Sequence, residues 1–508
     1  MKKDKKLRWE VLFPAWIIVI SVLILNLVNY EMFLSVINQV IGWILKNFAW
    51  MFNLISLAAL FLVIAAYFSP IHKIKIGGSD AKPIIGYKNY VWIVLCTIMG
   101  AGLMFWACAE PILHISNPPA NVTAGALSGE AILWAMETIL LEWTFTPMAI
   151  YAMPAVLFAL VFYNMKRKFS IGSMLYPVFG DRLSAKHDSI IDCICLFCLC
   201  LGISSSLGSG VLLIVEGISR MTGGKIEASP VSWAVCSVLI MLCLIISSVR
   251  GLHKGLNYLS RFNSWCYLVI GIFVFLTGPT AYILNLGVES IGAYAADFFK
   301  ISLWTSAAWG DGWSLWWPQF YWCIWLTWMP ISAVFLGKIS KGYTIRQVLN
   351  AIFVIPAVFS VIWMVLFSAS AIYFELNGAG IMQAMNASTT AAAAYAVLEH
   401  LPLNVIMVPV FLITAVASYV TSADSNTNAM ASLCTRGLTE EDTEAPVFLK
   451  IFWGLTISVL CIVMLTAFNI DGMKMLADLG GFFAAFLMIL FIIAFIRILK
   501  NPSKYKIE

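Results

Sequence analysis

The chain has 508 residues, of which 61% are hydrophobic and only 11% charged, and no long polar stretch is present to build a water-soluble domain. That composition excludes an ordinary soluble enzyme or binding module and places nearly all of the protein in or against lipid. The net charge of +5 is spread over short loops and leaves no footprint for nucleic acid.

Crossing a hydrocarbon core about 30 Å thick takes roughly 20 apolar residues in a helix, and about twelve stretches qualify. In chain order the predicted spans are 12–29, 49–69, 89–111, 130–163, 189–217, 231–249, 257–285, 316–338, 347–375, 402–433, 448–469 and 476–498. Residues 1–8 are basic and precede an apolar run, as in a signal peptide. No small-residue cleavage site follows and the run is long enough to span, so it is read as an uncleaved first span. Segment 34–47 is expected at the interface, and 287–300 as a helix along the outer surface. Of the 31 Lys and Arg residues, only Lys46, Arg220, Lys225, Lys300 and Lys474 fall on the side opposite the N-terminus. Basic residues concentrate in cytoplasmic loops, so both termini are expected in the cytoplasm, which requires an even number of spans. The cysteines lie almost wholly inside spans and read as small apolar packing residues rather than disulfides or metal ligands. His114 and His187 are placed in loops or at edges.

Two spans are interrupted in the middle, the third by Met99-Gly100-Ala101-Gly102 and the eighth near Met329-Pro330. Five spans separate their starts, which suggests two five-helix halves, each opening with a broken helix. Residues 1–88 then hold the N-terminus and two peripheral spans. Residues 89–285 form the first half, 286–315 a surface connection, 316–498 the second half and 499–508 a short tail.

A glycine lets a ligand approach the backbone closely, and an unwound helix exposes N–H and C=O groups that can hold a carboxylate or a bare cation; Gly100 and Gly102 fit that role. They also fit plain helix packing through small residues. In the eighth span Tyr321, Trp325, Trp328 and Ser332 follow at intervals of four, three and four, one face of a helix. Trp143 and Tyr151 share a face of the fourth, flanking Pro147. Such a cage attracts a trimethylammonium group through ring quadrupoles without a counter-charge. Trp313, Trp316 and Trp317 read instead as an interfacial belt. The hydroxyls of Val420-Thr-Ser-Ala-Asp-Ser425 offer the hard oxygens sodium prefers, although hydroxyls in membrane helices often bond only their own backbone. Glu110, Glu137, Glu142 and Asp424 are carboxylates at membrane depth, and such groups are often functional. Glu142, beside Trp143, is placed to tune cation attraction or to accept a proton.

The stretches Met99-Gly-Ala-Gly-Leu-Met-Phe-Trp106 with Ala109-Glu-Pro111, Glu142-Trp-Thr-Phe-Thr-Pro-Met-Ala-Ile-Tyr151, and Phe320-Tyr-Trp-Cys-Ile-Trp-Leu-Thr-Trp-Met-Pro330 through Arg346 resemble the motifs of the betaine/carnitine/choline transporter family. The likeness runs from about residue 10 to 500. It implies an all-α membrane fold of two inverted five-helix repeats preceded by two extra helices, with many members trimeric. It also implies a box of Trp143, Tyr151, Trp325 and Trp328, with Phe320 along the permeation path. Met148 and Ile324 stand where many relatives place further tryptophans, which makes the cage less aromatic. Choline-preferring relatives tend to have aspartate where this chain has Gly102, so a substrate with its own carboxylate, such as a betaine or carnitine, is expected. The resemblance further implies sodium as coupling ion at Thr421 and Ser422, with the carbonyls of Cys96, Met99 and Ser418 opposite. Sodium-independent antiporters of the carnitine/γ-butyrobetaine type lose these hydroxyls and gain an arginine in the seventh span, where the best match here is Asn263, with Arg261 two residues away. Sodium-coupled symport of a quaternary ammonium compound across the cytoplasmic membrane is therefore expected. Sodium-independent exchange, proton-coupled choline uptake and osmoregulated betaine uptake are the alternatives. A channel would need a polar pore, and no cluster of nucleophile, base or metal ligands supports an enzyme.

Overall fold

The computed structural model describes residues 6–249, 253–438 and 445–505. Lys2, Lys3, Lys5, Arg250 and Lys506 of the orientation count lie outside them. Among the described residues the only strands are two-residue pieces, Lys6–Leu7 paired antiparallel with Thr435–Arg436. The rest is helical.

Among the described residues seven helices are long and apolar enough to cross a membrane, or ten when each of three bent pairs counts as one span. The longest, Val447–Lys500, has 54 residues, roughly 80 Å at 1.5 Å per residue and far more than one bilayer core needs. It is two spans joined at Asn469, whose φ of 55° and ψ of −137° end the first helix. The halves run in opposite directions. The Ala467 carbonyl, near the break, accepts the hydroxyl of Tyr30, which lies just past the far end of the first span. Arg497 instead donates to the Pro177 and Val178 carbonyls, in the loop whose Ser170 meets Arg8 at Asp192. With Pro230–Val249 added, each of the twelve predicted stretches has its helix.

The predicted interruptions are present. Tyr87–Ile98 and Gly102–Ser116 meet at 48° across Gly100 (φ 4°, ψ −176°), and Trp313–Pro330 meets Ser332–Ile339 at 45°. Pro330 brings no N–H and crowds the preceding turn, so the helix widens into a π turn over Ser332–Leu336. The surface helix is also found, extended to Thr280–Ser302 and set at 107° to Arg261–Thr277.

Three local features differ from expectation. Tyr30–Phe68 is one helix of 39 residues rather than an interfacial segment followed by a span, because no proline interrupts it. The fourth span breaks at Thr144 (φ −111°, ψ −112°), where Pro147 cannot return a hydrogen bond to the Trp143 carbonyl one turn back. The third span does not stop at Glu110; it continues through Pro111 to Ser116, so Glu110 and His114 are both buried rather than at a loop or edge.

Burial is graded across the bundle. Within Gly129–Asn164 94% of the apolar stretch is buried, against 28% for Trp9–Val28, so the fourth span is central and the first faces outward. Glycines set the closest approaches. A methyl group on Gly481 would sit 2.3 Å from Cys323 Cα, so the eighth and twelfth spans meet backbone to backbone.

Candidate functional site

The break in the third span releases the Gly100 carbonyl, which accepts the Tyr267 hydroxyl at 3.0 Å. Tyr267 lies 3.1 Å from Ser418 Oγ, and Asn263 Nδ2 donates to the same oxygen at 2.9 Å. Spans three, seven and ten are thus tied at one point, with Asn263 Oδ1 buried and without a hydrogen-bond partner beside it. Arg261 belongs to another face, donating to Asn89 Oδ1 at 2.7 Å.

Two residues further, Gly102 makes room for an indole: a Cβ there would be 3.4 Å from the Trp143 ring. Trp143 and Trp325 stand nearly perpendicular at 88°, centroids 5.2 Å apart, and Tyr151 meets Trp325 at 5.6 Å and 79°. Their edges are pinned. Trp325 Nε1 donates to the Glu142 carbonyl at 2.8 Å, beside the break at Thr144, and Trp143 Nε1 donates to Glu110 Oε2 at 2.9 Å. The Tyr321 hydroxyl donates to that same carboxylate oxygen. Anchoring the polar edges fixes which ring faces look inward.

Trp143, Tyr151, Trp325 and Trp328, with Gly100, Gly102, Ile324, Ser418 and Ser422, line one cavity of about 80 Å³. Trp106, Tyr419, Ser206 and Ser209 also line it, with Thr97, Ile98 and Leu103, and periodicity within single spans pointed to none of the first four. Tyr419 reaches across because Gly210 has no side chain; a methyl there would overlap the ring at 1.9 Å. None of the described lining residues carries a charge. A larger groove of 510 Å³ between the seventh span, the surface helix and the ninth span is almost wholly apolar and holds no such arrangement of polar groups.

Other expected residues lie elsewhere. Met148 is fully buried and off the cavity wall, while Phe320 packs on Trp106 and Tyr321 at 6.3 and 5.0 Å. The Thr421 hydroxyl donates to the Ala417 and Ser418 carbonyls at 2.7 and 3.0 Å, and Ser422 Oγ accepts from Asn426 at 3.2 Å. Cys96 Sγ lies 3.1 Å from Ser264 Oγ on the wall of a separate 190 Å³ cavity. The side chains of Met99 and Asp424 lie outside those described. Among the described residues, the buried Asn263 amide oxygen close to Ser418 has no hydrogen-bond partner.

Beyond the cage, donor atoms of Glu110, His114 and Glu142 lie within 4.8 Å of one another, all three residues buried. The Glu110 and Glu142 carboxyls hydrogen-bond each other and the Cys323 thiol meets Asp478, while both His114 nitrogens have no hydrogen-bond partner among the described residues. The Lys474 ammonium faces Glu110, Glu142, Asp471 and Asp478, so the group already contains a fixed cation, which disfavours a dication beside it.

Residues 10–504 match the model of the BCCT, betaine/carnitine/choline family transporter. The chain belongs to this family. A probable glycine betaine transporter of Desulfitobacterium hafniense is 30% identical over 87% of this chain and 87% of its own length. An osmo-independent choline transporter of Acinetobacter baylyi is 28% identical, covering 97% of this chain and 94% of the relative. An ectoine/hydroxyectoine transporter of Virgibacillus pantothenticus is 28% identical over 90% of each chain. The protein is accordingly a multi-span membrane transporter of the betaine/carnitine/choline family rather than an enzyme. Its similar relatives handle cargoes of different shape, which throws the question of substrate back onto the cavity.

Proposed function

We propose that this transporter carries a trimethylammonium carboxylate such as glycine betaine or carnitine into the cell by sodium-coupled alternating access. The observation that carries this reading is the nearly perpendicular Trp143–Trp325 pair, extended by Tyr151, around a cavity whose described walls hold no charge. A site of that kind holds a cation by ring faces. The other end of the substrate meets the opened backbone at Gly100–Gly102, where amide groups accommodate a carboxylate. Sodium coupling is supported by the neutral Asn263 beside Ser418, in place of the arginine expected of an exchanger, and by its unpartnered oxygen.

The test is uptake of labelled glycine betaine and carnitine into proteoliposomes, with and without an inward sodium gradient and with and without internal substrate. Accumulation into empty vesicles driven by sodium is expected. Uptake that needs internal substrate and ignores sodium would make the protein an exchanger and overturn the coupling assigned to it.

A further inference from the structure

Lys474 counts as a loop lysine in the sequence, but it is only 8% exposed. It sits just past the break at Asn469, and its ammonium is 4.3 Å from the centre of the Trp317 ring, 5.2 Å from Phe320 and 5.5 Å from Trp106. A buried lysine ordinarily has a carboxylate against it. Among the described residues no carboxylate lies within ion-pair distance of this one, although four face it. Its nearest partners are three aromatic rings, the same chemistry as the cage. The two sites share a wall. Trp106 lines the cavity and touches Trp317 and Phe320 at 6.4 and 6.3 Å, and through Tyr321 at 6.2 Å it connects to Trp143.

We propose that Lys474 is a tethered stand-in for the substrate's ammonium, occupying an outer aromatic site on the way to the cage and setting specificity against cations that lack a carboxylate. An arriving quaternary ammonium competes with Lys474 for Trp106, Trp317 and Phe320. The displaced lysine has a place to go, because the carboxyl groups of Glu110, Glu142, Asp471 and Asp478 all face its ammonium. A zwitterion brings its own carboxylate past the ammonium and gains from it. A carboxylate-free cation such as choline brings no group for Lys474 to pair with and meets its like charge. Discrimination follows from a fixed like charge, an element that rejects one ligand rather than attracting another.

This inference rests on the proposed trimethylammonium carboxylate reading, and the experiment separates the two. Glycine betaine and choline are titrated onto purified wild type, Lys474→Met and Lys474→Arg, and the ratio of their dissociation constants is read. Wild type and Lys474→Arg should favour betaine, and Lys474→Met should shift the ratio toward choline on the order of tenfold, the scale of one partly screened charge pair. If Lys474→Met fails to fold, Lys474→Gln, which keeps a polar group in the same space, takes its place with the same expectation. A folded neutral variant that keeps the wild-type ratio overturns the role of Lys474. A wild type that binds neither compound overturns the substrate reading instead.

Discussion

Two of the places where titratable side chains are buried treat them in opposite ways. At the end that holds the N-terminus, Asp192 is buried with all its needs met. Arg8 and Ser170 donate to Oδ2 at 2.6 and 2.9 Å, and the Ile171 and Gly172 amides donate to Oδ1 at 2.8 and 3.3 Å. Arg8 further reaches the Leu433 carbonyl and Ser189, while the strand beside it pairs with Thr435–Arg436. Beyond the cage, Glu142, Asp478 and His114 are as deeply buried but more weakly met: Glu142 faces its fellow acid Glu110, Asp478 the weakly donating Cys323 thiol, and His114 has no hydrogen-bond partner among the described residues. A saturated buried ion pair is a structural clasp, because either charge without the other is stranded. Buried titratable groups without a strong partner mark a place where a group moves or arrives.

Breaking the clasp should give the largest effect. Arg8→Ala strands Asp192 and is expected to cost about 3–5 kcal/mol, read as a fall in the thermal midpoint of the purified protein; an unchanged midpoint would show that the clasp carries no stability. On the other side, Trp325→Ala removes a cage wall while the protein still inserts, and should weaken betaine binding roughly 30- to 100-fold, since a desolvated cation–π contact is worth about 2 kcal/mol or more. Gly102→Asp puts a carboxylate on the uncharged cavity wall close to the Trp143 ring. It is expected to shift the betaine-to-choline affinity ratio toward choline about tenfold, measured by competition binding. The smallest effect should come from Glu142→Gln. Its carboxyl faces Glu110 and Trp325 holds its backbone carbonyl; an amide of the same shape keeps a donor for Glu110, so thermal stability should change by less than about 1 kcal/mol. A loss as large as that of Arg8→Ala would mean that the outer cluster is a second clasp.

The spans, the breaks at Gly100 and Met329-Pro330 and the aromatic face of the eighth span were legible because each is a local pattern: apolar length, glycine or proline, helical spacing. The break at Thr144 had a local signal too, in Pro147, but the position of a break depends on which carbonyls find other partners. What stayed hidden was contact between spans distant in sequence. Nothing local to Trp106 or Tyr419 distinguishes them from packing aromatics, and Lys474, two residues ahead of a predicted span, reads as solvated until three rings from other segments close over it. Met148 lies between cage residues in the sequence and off the cavity wall in space, because adjacent helical positions point in different directions.

The central claim is that ring faces in this cavity hold a positive charge, and it is tested most directly by removing the charge from the ligand and leaving its shape. Binding of glycine betaine to the purified protein should be compared with that of 3,3-dimethylbutanoate, in which carbon replaces the quaternary nitrogen. The carbon analogue is predicted to bind at least roughly 30-fold more weakly, the worth of about 2 kcal/mol of cation–π attraction. Equal binding of the two would show that the cage selects for shape alone and would contradict the account.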